Sequence, residues 1–229
     1  MLKRATIIGA MATAVLLLGP AIGVHAAGDV GTAHTEVTAS FLPGSGPSGP
    51  VDPTNPGGGP VINPGNPGTG ATGPLRLNYV SNLIDFGANP ISSSNQTYTA
   101  KATSDMINGY QSAQVSDERG TTAGWALKVS GSPMKAPVTS DTLTGATLTL
   151  PAGTVATASG TSNGAVATAV SNALDSSGGV LLGAAAGNGA GLTVDRWQPS
   201  AVQLQVMGGT AKAEAYSTNL TWTLQDAPA

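Results

Sequence analysis

Three features of this 229-residue sequence predict an all-β fold, an antiparallel β-sandwich or barrel-like sheet forming a single domain. The first is composition. Gly is abundant at 32 residues, Ala, Ser and Thr are frequent, and only 9% of residues are charged and 4% aromatic. This suits extended chain and turns and lacks the Leu, Glu and Lys on which helical bundles depend. The second is a series of short apolar/polar alternations separated by Gly, Pro and Asn turn signals. The third is a pair of similar tripeptides, Trp125-Ala126-Leu127 and Trp222-Thr223-Leu224. In each, Trp and Leu stand two positions apart and share one face of a strand.

Residues 1–26 read as a secretory signal peptide. Lys3 and Arg4 form the basic start, Ile7 to Leu18 the apolar stretch, and Val24-His25-Ala26 the small-x-small cleavage site. The competing reading is an uncleaved anchor, since Ala5 to Ala27 carries no formal charge and is long enough to span a bilayer. Pro20, Gly23 and the cleavage-like tripeptide favour removal, which leaves no membrane span. Residues 27–41 form a short N-terminal segment in which Val37, Ala39 and Phe41 alternate with polar neighbours, a possible strand joining the domain.

Residues 42–74 hold nine Pro and ten Gly among 33 positions, with Asn-Pro-Gly at Asn55, Asn63 and Asn66. So few donors and apolar groups predict a solvated spacer or loop, reaching at most on the order of 100 Å. The domain proper is expected over 75–229. Strands are predicted near Leu75–Tyr79, Gln96–Thr103, Gln114–Ser116, Trp125–Val129, Thr147–Leu150, Leu192–Asp195, Val202–Met207 and within Thr210–Gln225. Residues 156–191 are of low complexity. Within them Val166, Val170 and Leu174 recur at i, i+4 and i+8, which fits a helix over Gly164 to Leu174 or, nearly as well, a strand. Gly187-Asn188-Gly189-Ala190-Gly191 lacks the Lys-Ser/Thr of a phosphate loop and reads as a mobile loop.

Chemistry is sparse. There is no Cys, so disulfides, thiolate metal sites and cysteine nucleophiles are absent. Once the signal leaves with His25, His34 is the last imidazole, which argues against a Ser-His-Asp system and a multi-His zinc site. No spacing singles out two of Asp85, Asp105, Asp117, Glu118, Asp195 and Glu214 as a catalytic carboxylate pair. The expectation is a protein that is not an enzyme and has no cofactor or metal. Formal charge is −3, or seven basic against twelve acidic residues without Lys3 and Arg4, and the basic residues are scattered. Nucleic-acid binding is therefore not expected.

The order Asp117-Glu118-Arg119-Gly120-Thr121-Thr122-Ala123-Gly124-Trp125-Ala126-Leu127, then Trp222-Thr223-Leu224 near the C-terminus, resembles the WxL domain of Gram-positive surface proteins. Leu75 to Gly87 is similar to that domain's opening. The resemblance spans roughly positions 73 to 229. It implies non-covalent attachment to the cell wall through peptidoglycan, association with WxL-interacting surface proteins, and a secreted, cell-surface location. It implies a wall- or partner-binding motif of Trp125, Leu127, Trp222 and Leu224. Taken as side chains, these residues equally suit the core of a domain poor in aromatics. Trp197, in a polar setting expected between strands, is either a contact or a plug at the sandwich end. Lys128, Thr221 and Thr223 are possible contacts on the other strand face. No sorting motif or apolar tail follows Gln225-Asp226-Ala227-Pro228-Ala229, so retention at the surface is expected of the folded domain itself.

Overall fold

A computed structural model describes residues 31, 33–46 and 48–229; the signal peptide expected over residues 1–26 lies outside them. Two units are distinguished, 1–40 and 41–229. The described part of the first has no regular secondary structure and is exposed. Alternation at Val37 and Ala39 is thus not enough to form a strand, because a strand without a pairing partner has nothing to satisfy its backbone.

The second unit is built from β1 (Leu75–Val80), β2 (Gln96–Thr99), β3 (Gln111–Asp117), β4 (Trp125–Ser130), β5 (Thr147–Thr149), β6 (Thr154–Thr157), β7 (Val166–Ala167), β8 (Gly179–Ala184), β9 (Gly191–Trp197), β10 (Gln203–Val206) and β11 (Thr221–Gln225). They make three antiparallel sheets, ordered β1-β3-β9-β6, β2-β10-β5 and β11-β4-β8-β7. Their inner faces share one apolar core that includes Val115, Trp125, Leu127, Leu150, Leu181, Leu182, Trp197 and Val202. The all-β expectation holds.

Several boundaries and one element differ from expectation. Residues 164–174 form no helix. Val166 is 63% exposed, while Val170 and Leu174 reach the core from extended chain. Leu150 and Val170 exchange backbone bonds of 2.9 and 3.0 Å, and the Ala173 amide donates to the Leu148 carbonyl at 2.7 Å. Pairing with a neighbouring strand end thus takes the backbone bonds that a helix would have used internally. The same low-complexity region supplies the end of β6 and all of β7 and β8. In β8 the run Val180-Leu181-Leu182 lacks alternation, and Leu181 and Leu182 are fully buried in a strand flanked on both sides. Over Thr210–Gln225 the one strand is β11, preceded by an isolated bridge between Lys135 and Ser217.

The largest departure is the Pro/Gly-rich stretch. From Ser48 to Thr69 it is a strap laid over the outer face of β1-β3-β9. Its first part is a tight hairpin with a Val51–Pro60 bridge, and the Val61 amide bonds the Pro50 carbonyl at 2.8 Å. The Gln114 side chain acts as a surrogate strand. Its Oε1 accepts from the Val51 amide at 2.8 Å and its Nε2 donates to the Val51 carbonyl at 2.9 Å. Further on, Asn63 Nδ2 donates to the Asp105 carbonyl, Asn66 Nδ2 to the Val80 carbonyl, and the Thr69 amide to the Asn78 carbonyl. Between the strap and the sheet, Val51 of the strap is buried with Tyr79 and Val194, outside the main core. Every residue of β3 is therefore buried, including Ser112, Gln114 and Ser116 on the side that alternation would give to water.

Candidate functional site

The two Trp-x-Leu segments lie side by side. β4 and β11 pair antiparallel with Leu127 opposite Leu224 and Val129 opposite Trp222, so both pairs face inward. Trp125 and Leu127 are fully buried, and Trp222 and Leu224 are half-buried at the sheet edge. The Trp125 indole N–H donates to the Gly189 carbonyl at 3.0 Å. The Gly187–Gly191 segment, expected to be mobile, is thereby tied down: the Gly187 amide bonds the Thr122 carbonyl at 2.7 Å and the Gly189 amide bonds Asn163 at 2.8 Å. A Cβ on Gly189, whose φ is +85°, would stand 2.5 Å from the Trp125 Nε1. Only Gly lets the loop lie this close to the indole.

The residues ahead of Trp125 clamp it in place. Arg119 bonds both Asp117 oxygens, at 2.9 and 2.7 Å, and the Gly124 carbonyl at 2.8 Å, and it also pairs with Asp226 beyond β11. One guanidinium thus joins the end of β3, the turn into β4 and the chain after β11. Burial would raise the Asp117 pKa, but the Arg119 bonds and charge hold it below the ordinary value. Its stabilisation is therefore present at neutral pH and is lost as pH falls below about 4. Arg119→Lys, which keeps the charge but loses the fork, is expected to cost about 1–3 kcal/mol in chemical denaturation. Glu118 is paired separately, with the buried Arg76 at 2.8 Å.

Trp197 is the last residue of β9, not a loop residue; it is only 5% exposed and donates to the Gln111 Oε1 at 3.0 Å. The strand extends two residues past its expected end because Gln111 and Ser112 pair with Trp197 and Arg196. This excludes Trp197 as an exposed contact. Of the other proposed contacts, Lys128 is half-buried and Thr221 and Thr223 are exposed, on the outer face of β4 and β11.

None of these residues lines an open groove of about 760 Å³ elsewhere on the domain. Its floor is apolar, formed by Leu204 and Val206 of β10, Tyr98 of β2, Met134 and Leu143. One wall is the loop Ile84–Ser92, turned by Gly87 at φ +65° with its amide on the Asp85 carboxylate at 2.7 Å. The other is residues 211–216, where the Tyr216 hydroxyl donates to Glu214 at 3.2 Å and accepts from the Lys212 amide at 3.0 Å. Lys212 is paired with Asp141, whose pKa it lowers through that bond, and Thr139 donates to Glu214 at 2.6 Å. Phe86, Tyr98 and Tyr216, all half-buried, thus stand among Asn89, Gln96 and Glu214. The part of this groove legible in the sequence is the Ile84-Asp85-Phe86-Gly87 segment. Its partners have no motif of their own, and those from Leu204 onward come from positions more than a hundred residues away.

Among the described residues no group of three or more His, Cys, Asp or Glu side chains is placed to hold a metal ion, and no helix is long and apolar enough to cross a membrane. A family model described as WxL domain surface cell wall-binding matches residues 28–228. No curated protein and no solved structure matches the chain.

Proposed function

Given that the chain belongs to the WxL domain surface cell wall-binding family, we propose that it is an exported, non-enzymatic protein that holds peptidoglycan non-covalently through the groove, with the Trp pairs serving as scaffold. The observation that carries this is the groove's lining. Three half-buried aromatic side chains offer flat apolar faces, and amide, hydroxyl and carboxylate groups on both walls offer hydrogen bonds. A glycan strand or peptide stem presents the complementary mixture. Individually weak contacts to a repeating polymer become strong retention when several copies engage it.

The test is co-sedimentation with purified peptidoglycan. Tyr216→Ala combined with Asn89→Ala is expected to weaken retention by about tenfold, the loss of roughly one aromatic and one polar contact. Failure of the unaltered protein to sediment would sink the proposal. Unchanged retention of the double variant would move the contact away from the groove.

A second reading has its own observation. β11 lies at the edge of its sheet, paired with β4 alone, and Thr221, Thr223 and Gln225 are exposed. A WxL-interacting surface protein could add a strand there, taking up the free row of backbone groups. Cross-linking on intact cells separates the two, since protein adducts at β11 would support strand addition and wall adducts at the groove would support polymer binding.

A further inference from the structure

We propose that the outer face of β1-β3-β9 is a receptor for the Ser48–Thr69 strap and that the strap of a second copy of this chain can fill it, linking copies by arm exchange. This goes beyond wall attachment and does not depend on it.

Recognition of the strap does not rely on its being joined to the same chain. Gln114 reads both backbone groups of Val51. The Arg196 guanidinium donates to the Pro53 carbonyl and stacks 5.5 Å over the Tyr110 ring. Asn66 and Thr69 bond the β1 backbone, and Arg76 Nη2 donates to Ser48 Oγ at 2.6 Å. All of these bonds are as available to an arm arriving from a neighbour.

The closed arrangement is also an imperfect fit. Among the described residues, Arg76 Nε, Asn78 Oδ1 and Asp105 Oδ2 are buried without a hydrogen-bond partner in the protein, and all three lie beneath or beside the strap. Each such group costs free energy while the strap is shut, which lowers the cost of opening it. The apolar area that holds it is small, chiefly Val51, Pro53 and Pro56. Its connection to β1 is the short run 70–74, in which Gly70 (φ +69°) and Gly73 (φ +99°) have open space around them. A Gly-rich joint between a folded domain and an arm that binds that domain's own surface is the arrangement from which exchanged dimers form.

Complementation between two full-length variants tests this. Val51→Pro removes the strap's amide donor and leaves the face intact; Gln114→Ala removes the reader and leaves the strap intact. Each variant alone is expected to remain monomeric in native mass spectrometry. After co-incubation in mild denaturant and dilution, their mixture is expected to give a heterodimer at least about fivefold above either alone. A mixture that stays monomeric overturns the proposal. So does a heterodimer that forms equally well when the Gln114→Ala chain also carries Val51→Pro. Melting curves confirm that each variant folds; if the proline prevents folding, Val51→Gly replaces it, which keeps the amide but removes the buried side chain that anchors the strap.

Discussion

Replacing Trp125 by Ala is expected to lower the stability of the domain by about 3–5 kcal/mol, a loss typical of truncating a fully buried indole. A domain of this kind has on the order of 5–15 kcal/mol in total, so much of its margin would disappear. The side chain is fully buried and central to the core, and its N–H is the group that fixes the Gly189 carbonyl. Truncation therefore opens a cavity and frees the loop at once. Trp222→Ala should cost markedly less, because that residue is half-buried on an edge strand. Trp125→Phe, which keeps most of the volume, separates architecture from contact: it should melt earlier yet sediment with peptidoglycan as well as the unaltered protein. Equal melting of Trp125→Ala and the unaltered protein would refute the assignment. Loss of sedimentation by a folded Trp125→Phe would return the indole to the binding surface.

The second large effect is a dependence on pH set by Asp195. This carboxyl faces inward on β9, opposite Ala113 of β3 and Val155 of β6, fully buried, and no side chain hydrogen-bonds either oxygen. Burial pushes its pKa up to about 7, with the adjacent Gly153 backbone pulling weakly the other way. Because the folded pKa lies above the unfolded one, the native state holds a proton that the unfolded chain has released. Stability is thus highest below about pH 4 as far as this group is concerned. It declines as pH rises toward 7, by up to roughly 4 kcal/mol in all, and is level above that. Asp117 acts in the opposite sense at the acid end, so the optimum falls on the acid side of neutral. Asp195→Asn should raise the melting temperature at pH 8, by roughly 2–4 °C for each kcal/mol recovered, and flatten the slope between pH 4 and 7. A parallel slope in the variant would show that another group is responsible.

Legibility followed the range of the interaction. The Trp-x-Leu strands could be read because two residues at spacing two state a face, and the face they state is the one the core takes up. Asp117 and Arg119 stand two residues apart in the sequence, but which acid Arg119 takes and its reach to Gly124 and Asp226 are not legible there, since those contacts close only when β3, β4 and β11 are brought together. The helix considered over Gly164 to Leu174 failed because its periodic residues serve different surroundings, Val166 in solvent and Val170 in the core. The groove was largely hidden for a similar reason. Its aromatic residues Phe86, Tyr98 and Tyr216 are isolated in sequence and converge only through loop and sheet geometry.

The sequence by itself determined the all-β class, the inward strand faces around both Trp-x-Leu pairs, and the family. These rest on local periodicity and residue types, which do not need the rest of the chain. Only the tertiary structure decided that the Pro/Gly stretch is a strap, that Trp197 is buried, and that the open groove lies away from the motif that names the family. A proline-rich segment lacks donors and apolar side chains of its own, so whether it is solvated or bound depends on what another surface offers it. Here the polar face of β3 offers Gln114, and its side-chain amide satisfies both backbone groups of Val51 where water otherwise would.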